Sequence, residues 1–277
     1  MKRIIALLMA VLMVTAILAA CGEEKKTDAT EAKADATQAA AADVADFDAV
    51  KEKGKLIVGI TDFEPMDYKN DNGEWIGFDA DMAKEFGKDL GVEVEFIEID
   101  WDNKVLELNS GNIDCVWNGM TLTDEVKSAM SCSDPYCNNA QVVIVKKDVA
   151  DKYAKAEDCK DLNFAVESGS AGQQQAEAYG FKFTEVKDQA TALMEVASGT
   201  CDAAIIDSLM AAAMVGEGTG YDQLTYTASL NSEEYGVGFR QGSDLTAKCN
   251  SFFAAAKSDG VMQEIAEKYK VQAALIK

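Results

Sequence analysis

The chain has 277 residues, 48 of them acidic against 26 basic and none histidine, for a formal net charge of -22. That balance argues against a nucleic-acid partner and against adsorption on anionic lipid, and the missing histidine removes His-based triads and histidine general-base chemistry. Arginine is almost absent as well, with Arg3 and Arg240 the two in the chain.

Lys2 and Arg3 precede an uncharged, mostly apolar run over 4–18, which closes on Leu18, Ala19, Ala20 and Cys21. A positive start, a short apolar core and small residues before the processing point predict a secretory signal over 1–20. The run is too short for a membrane span. Cysteine directly after LAA resembles the bacterial lipoprotein signal, which implies that Cys21 becomes the acylated first residue of a protein anchored outside the bacterial cell membrane. The following residues are alanine, threonine and short charged side chains, which bury too little area to offset their ordering entropy. The region 21–49 therefore reads as an acylated cysteine and flexible tether, with a transient helix as the alternative because alanine favours helix.

Beyond the tether, short strands alternate with helices. Strands are predicted over 55–60, 92–97 and 113–117, with helices over 77–90 and 104–109 between them. The pattern returns with strands over 162–166, 182–186 and 201–206 and helices over 171–179 and 190–198. The segment DQATALMEVASGTCDAAIID echoes WDNKVLELNSGNIDCVWNG at the same relative place. Helices between strands imply crossover connections and largely parallel pairing. Ligands in such open sheets bind beyond the carboxyl ends of the strands, so the two echoed strand ends propose one cleft between two lobes. AQVVIV over 140–145 and YGVGF over 235–239 are extended and apolar, as two crossing segments would be, and equally as core strands would be.

Six cysteines follow Cys21, at 115, 132, 137, 159, 201 and 249. An even number in an exported protein permits disulfides, and Cys132 with Cys137 is the local pair best placed for one. Without histidine or close CxxC spacing, no metal site is expected. Gly169, Ser170, Ala171 and Gly172 lack the lysine and spacing of a phosphate loop, so no cofactor is expected either, and no catalytic constellation stands out.

The stretch over 117–136, WNGMTLTDEVKSAMSCSDPY, runs from a strand end with Gly119 and Thr121 into a short polar helix, a junction suited to an anion or small ligand. Together with FDADMAKEFG before it and the second alternation after it, this resembles the extracytoplasmic solute-binding proteins of ABC importers, specifically the polar amino-acid-binding family (family 3). The resemblance covers roughly 52–277. It implies an α/β, two-lobed periplasmic-binding-protein-like fold of type II with two crossing hinge segments. Its expected parts are lobe 1 over 50–140 plus 240–277, lobe 2 over 146–234, and hinges over 141–145 and 235–239, with the terminal helices packing back on lobe 1.

The family resemblance also implies a site. Phe63 and Trp101 match aromatics that flank the ligand, and two aromatics beyond neighbouring strand ends can independently sandwich an apolar stem or a cation. Tyr68 is a weaker candidate at the cleft edge. Gly119, Met120 and Thr121 match the run that holds the ligand α-carboxylate, and Ser170 matches the loop that completes that cradle, although it is equally placed to cap the helix after it. Glu167 stands where the family varies, either selecting a polar or cationic side chain or facing solvent. Asp207 aligns with the acid that binds the α-amino group, and it too could cap the helix that follows.

One position departs from the pattern. Val126 stands where the family has the arginine that grips the carboxylate bidentately, a planar fork that lysine reproduces only partly. Four accounts are open: Lys127 substitutes, Arg240 is brought in by the fold, backbone N–H groups with Thr121 and Ser170 suffice, or the ligand is not an ordinary α-amino acid. The expected function is non-enzymatic: binding of an amino acid and its delivery to an ABC permease and its ATPase by a monomeric, lipid-anchored receptor. The alternatives are a non-amino-acid polar or cationic solute, or a sensory module.

Overall fold

The computed structural model describes residues 45–277; the signal over 1–20, Cys21 and the tether up to residue 44 lie outside the described residues. The tether ends earlier than expected, because Asp46–Lys53 is a helix. Val50 is fully buried and Phe47 packs on the same core, while the Phe47 N–H donates to Asp244 Oδ1 at 3.0 Å. These contacts supply the apolar burial that the alanine-rich stretch before them lacks.

Two five-stranded sheets share one architecture. In the first lobe the order is Glu93–Glu98, Lys55–Ile60, Cys115–Val116, Gly238–Phe239 and Ser131–Cys132. The first three are parallel and the last two join antiparallel. In the second lobe the order is Lys182–Val186, Asn163–Glu167, Ala203–Asp207, Gln141–Lys146 and Leu224–Ser229, again three parallel strands followed by antiparallel ones. The two echoed sequences therefore fold as equivalent helix–strand units, Lys104–Ser110 with Cys115–Val116 and Gln189–Ser198 with Ala203–Asp207.

The crossover helices explain themselves from sequence. Phe78–Leu90 places Phe78, Met82, Phe86 and Leu90 four residues apart on one buried face and stops at Gly91 in the left-handed conformation. Leu245–Ser258, the first of the two terminal helices, returns to the first lobe, where the rings of Phe252 and Phe253 lie 5.3 Å from Phe86 and 5.5 Å from Trp117.

The hinge lies earlier in the chain than the sequence suggested. Gln141–Lys146, which contains the expected segment 141–145, pairs with a strand on each side, and its first five residues are buried. It is an interior strand of the second lobe, and its unbroken apolar run reflects burial on both faces. The expected segment 235–239 is divided, with Gly238–Phe239 inside the first lobe's sheet. The lobes are joined by the antiparallel pair Cys137–Asn139 and Glu233–Tyr235. The disulfide considered for Cys132 and Cys137 is not formed, and the six cysteines among the described residues are free thiols. Cys132 pairs with Gly238 in the first sheet and Cys137 with Tyr235 in the crossing ribbon, so the two thiols sit in different sheets.

Beneath the first lobe's strand ends, Asp67 and Asp79 are both fully buried. Asp79 Oδ2 accepts the Gly119 N–H at 2.6 Å and the Tyr136 hydroxyl at 2.7 Å. Its Oδ1 and both Asp67 oxygens have no donor among the described residues, a situation that protonation of one of the two carboxyls would ease. Burial, and then the Asp79 charge, raise the Asp67 carboxyl well above the ordinary range, despite Lys84 nearby and with Asp81 adding to the rise. Burial likewise raises Asp79 to about 7. Acids whose folded pKa lies above the unfolded value contribute stability that is complete below the unfolded value near 3.8 and is lost as pH rises through the folded value. Asp67→Asn, which keeps a donor and cannot ionise, is expected to be more stable than the parent at pH 8 by about 1 kcal/mol, or roughly 2–4 °C in melting temperature. The gain should shrink as pH falls and vanish only below about pH 4, under the unfolded value; a difference of the same size at pH 8 and pH 4 would refute the protonated acid.

Candidate ligand-binding site

The carboxyl ends of the parallel strands of both lobes meet at a narrow slot. The first lobe contributes Phe63 after Lys55–Ile60, Trp101 after Glu93–Glu98, and the loop 118–121 after Cys115–Val116. The second contributes Glu167 at the end of its strand, Gly169, Ser170 and Ala171 at the next helix start, and Asp207 at the end of Ala203–Asp207. Eight of the nine ligand-contact residues expected from sequence thus line one space, namely Phe63, Trp101, Gly119, Met120, Thr121, Glu167, Ser170 and Asp207. Tyr68 is not among them. Its ring stacks edge-on to Tyr269 with centroids 6.4 Å apart, at a separate groove between the lobes that Glu64 and Pro65 line on one side and Leu209 and Ala212 on the other, because the two-stranded turn Tyr68–Lys69 with Trp75–Ile76 carries it away from the strand ends.

Asp207 is 4% exposed and does not cap the helix Ser208–Met214. Its Oδ1 accepts from Asn139 Nδ2 and the Tyr235 hydroxyl, and its Oδ2 from Gln189 Nε2. Gln189 Oε1 in turn accepts the Asp207 N–H at 2.9 Å. Burial and then the charge of Glu233 raise the Asp207 carboxyl to about 7, with the Tyr235 and glutamine hydrogen bonds opposing the rise. A ligand ammonium would return it to the charged form.

Gly119 departs from its expected role as a free anion donor, because its N–H is already committed to Asp79. Its contribution is clearance. With φ at +56° and a Cβ that would stand 2.4 Å from the Phe63 ring, no other residue lets the loop pass so close to that aromatic wall. Thr121 faces Tyr235 without sharing backbone bonds: Leu122 N–H donates to Glu234 O and Gly236 N–H to Met120 O. The Thr121 N–H therefore points away from the crossing ribbon, while its hydroxyl donates to Glu233 Oε1 at 2.8 Å. Ser170 caps its helix by accepting the Gln173 N–H at 3.1 Å. The first N–H groups of Ala171–Tyr179 accordingly open toward the slot.

Neither proposed substitute for the missing arginine reaches the slot. Arg240 pairs with Asp46 and Asp114 and donates to the Leu108 and Ile113 carbonyls at the foot of the first lobe. Lys127 is exposed and lines an outer groove. The cation in the slot wall is Lys104, which the sequence offered only as the first residue of a helix. It is buried, with Nζ donating to Gly169 O at 2.9 Å and Trp101 O at 3.2 Å and lying 5.0 Å from the Trp101 ring centroid. Burial lowers its pKa, opposed by Glu125, Glu167 and Asp102. The signal that marks it is its place three residues after Trp101, which on a helical turn puts both on one side. Gln189 was missed because helix-start glutamines are common on surfaces.

The lobes also touch across the cleft. Lys104 reaches Gly169 O, Lys187 Nζ meets Glu98 Oε1 at 2.6 Å, and Gln174 Nε2 donates to Glu125 Oε2 at 3.0 Å. Gly169 itself approaches Asp102 so closely that a Cβ would sit 2.7 Å from its Cα.

Known proteins match the chain along most of its length. Residues 56–272 match the family model described as bacterial extracellular solute-binding proteins, family 3. The chain is 30% identical over 225 residues to the L-cystine-binding protein TcyJ of Escherichia coli, covering 79% of this chain and 84% of that one. It is 32% identical over 278 residues to the ABC transporter glutamine-binding protein GlnH of Bacillus subtilis, covering 97% of each. Among solved structures, a variant of ArgBP from T. maritima superposes with a TM-score of 0.76 at 33% identity, over 80% of this chain and 98% of that one. The two-lobed fold, the placement of the slot and these matches together make the chain a member of the bacterial extracellular solute-binding proteins, family 3.

Proposed function

We propose that the chain captures a free amino acid outside the cytoplasmic membrane and delivers it to the permease and ATPase of an ABC importer. The observation that carries this reading is the opposition of charges in the slot. Asp207 waits on one side for an ammonium, and Lys104, the Thr121 N–H and the start of Ala171–Tyr179 supply donors for a carboxylate. That is the charge pattern of a zwitterion. TcyJ and GlnH are themselves named for amino acids, and ArgBP has been solved with arginine bound.

Lys104 takes over the charge that the family places at position 126. Its ammonium is a compact point charge rather than a planar fork, so Thr121 and Ser170 carry more of the orientation. Phe63 and Trp101 bracket the ligand. Contacts to both lobes favour closure only to the extent that the closed form binds better, and Lys187, Glu98, Gln174 and Glu125 add protein contacts to that form. Attachment through an acylated Cys21 rests on the Leu18, Ala19, Ala20, Cys21 sequence, and it would hold the monomeric receptor near its permease.

Two measurements test the assignments. Asp207→Asn should weaken amino-acid binding by about 10- to 100-fold, the worth of a charged hydrogen bond, in calorimetry of protein whose melting profile shows it folded. Unchanged affinity across amino acids would remove Asp207 from the ammonium site. Lys104→Met should weaken an amino acid by roughly tenfold or more while leaving the corresponding decarboxylated amine little changed. Equal losses for both would mean that Lys104 supports the cleft and does not contact the carboxylate.

A further inference from the structure

The slot holds one acid more than a simple zwitterion uses. Glu167 ends the strand Asn163–Glu167, is 3% exposed, and lines the slot beside Asp207. Its Oε2 has a long contact of 3.5 Å from Gln189 Nε2, the same amide nitrogen that serves Asp207, and its Oε1 is buried without any partner among the described residues. The charged groups facing it are Asp207 and Asp188 from its own lobe and Lys104 from the other. Burial, and then the Asp207 charge, raise its carboxyl to about 8. The Lys104 charge lowers it only in part and makes no hydrogen bond to it, two of that ammonium's three donors going to Gly169 O and Trp101 O.

From these contacts we infer that Glu167 is a specificity-determining subsite for a second cationic group, so that the ligand is an amino acid carrying a positive charge beyond its α-ammonium. The inference rests on the amino-acid reading above and deepens it. Once Asp207 takes the α-ammonium and Lys104 with the backbone donors takes the carboxylate, a ligand with an uncharged side chain leaves Glu167 buried with an unsatisfied oxygen, a costly arrangement. A basic side chain neutralises it. The opposite wall is suited to the same group, since Phe63 and Trp101 present aromatic rings that attract a planar or ammonium cation. The acid is also set deep at a strand end, where its direction is fixed by the sheet on both sides, Lys182–Val186 and Ala203–Asp207.

The test compares arginine with citrulline, which has nearly the same shape and no side-chain charge, together with ornithine and glutamine, by calorimetry on the purified protein. Arginine or ornithine should bind at least about tenfold more tightly than its uncharged counterpart. Glu167→Gln, which preserves volume and hydrogen bonding, should collapse that ratio toward one while citrulline and glutamine affinities hold or improve. Citrulline or glutamine binding the parent as tightly as the basic ligands would overturn the subsite and leave the amino-acid reading standing. An equal loss for charged and uncharged ligands in Glu167→Gln would place the acid on the α-ammonium beside Asp207, and would overturn it too. Failure of every amino acid to bind the parent would instead defeat the underlying reading. Should Glu167→Gln not fold, the ratio of arginine to citrulline affinity in the parent decides the matter alone.

Discussion

The hydrogen bonds that Asn139 and Tyr235 donate to Asp207 tie the connection between the lobes to the acid that faces the slot. A carboxylate buried this deeply has to be satisfied or neutralised, and two of its donors come from the crossing ribbon itself. The same ribbon carries Glu233, which accepts the Thr121 hydroxyl from the first lobe and side-chain amides of Asn139 and Gln141. Tyr235 also meets Phe63 edge-on, with centroids 6.3 Å apart. Mechanical link and binding chemistry are thus built from the same few side chains. Rotation about the ribbon cannot leave the acid's surroundings unchanged.

Much of the framework was legible because its local signals are complete. Lys55–Ile60, Ala171–Tyr179 and Lys182–Val186 have the bounds that β-branched runs, an N-cap serine and Gly180 at the helix end predict. The hinge was not legible. A strand buried on both faces reads the same whether it lies inside a lobe or between lobes, and the true crossing strands, CNN and EEY, are too short and polar to show a period. The site residues converged because equivalent strand ends in two similar sheets gather at one place, a property of topology that the internal echo reveals. What the sequence could not disclose was partnership: that Asp79 would claim the Gly119 N–H, or that the second acid, Glu167, would have an oxygen left over.

Position 126 shows how one replacement redistributes roles. Val126 is 5% exposed and packs in an apolar cluster with Trp101, Met120 and Met130, so it braces the wall against which the ligand would lie. The arginine of the folded region is spent elsewhere, where Asp46, Asp114 and two carbonyls match its several donors. Positive charge in the slot falls to a lysine that loses solvation by being there, which makes the site's anions and cation interdependent: each is held charged by what comes to meet it.

The charged groups around the cleft divide into two kinds by exposure. Lys187 and Glu98 are partly in water, with side chains 55% and 34% exposed, whereas Asp207, Glu167 and Lys104 are enclosed. Mobile ions screen the first kind within a Debye length of about 8 Å at physiological ionic strength and scarcely reach the second. A receptor of this construction would respond to the salinity of its surroundings by tightening or loosening its hold on all cargo by a common factor. Its ranking of one cargo against another, decided among enclosed groups, would stay the same from fresh to brackish water.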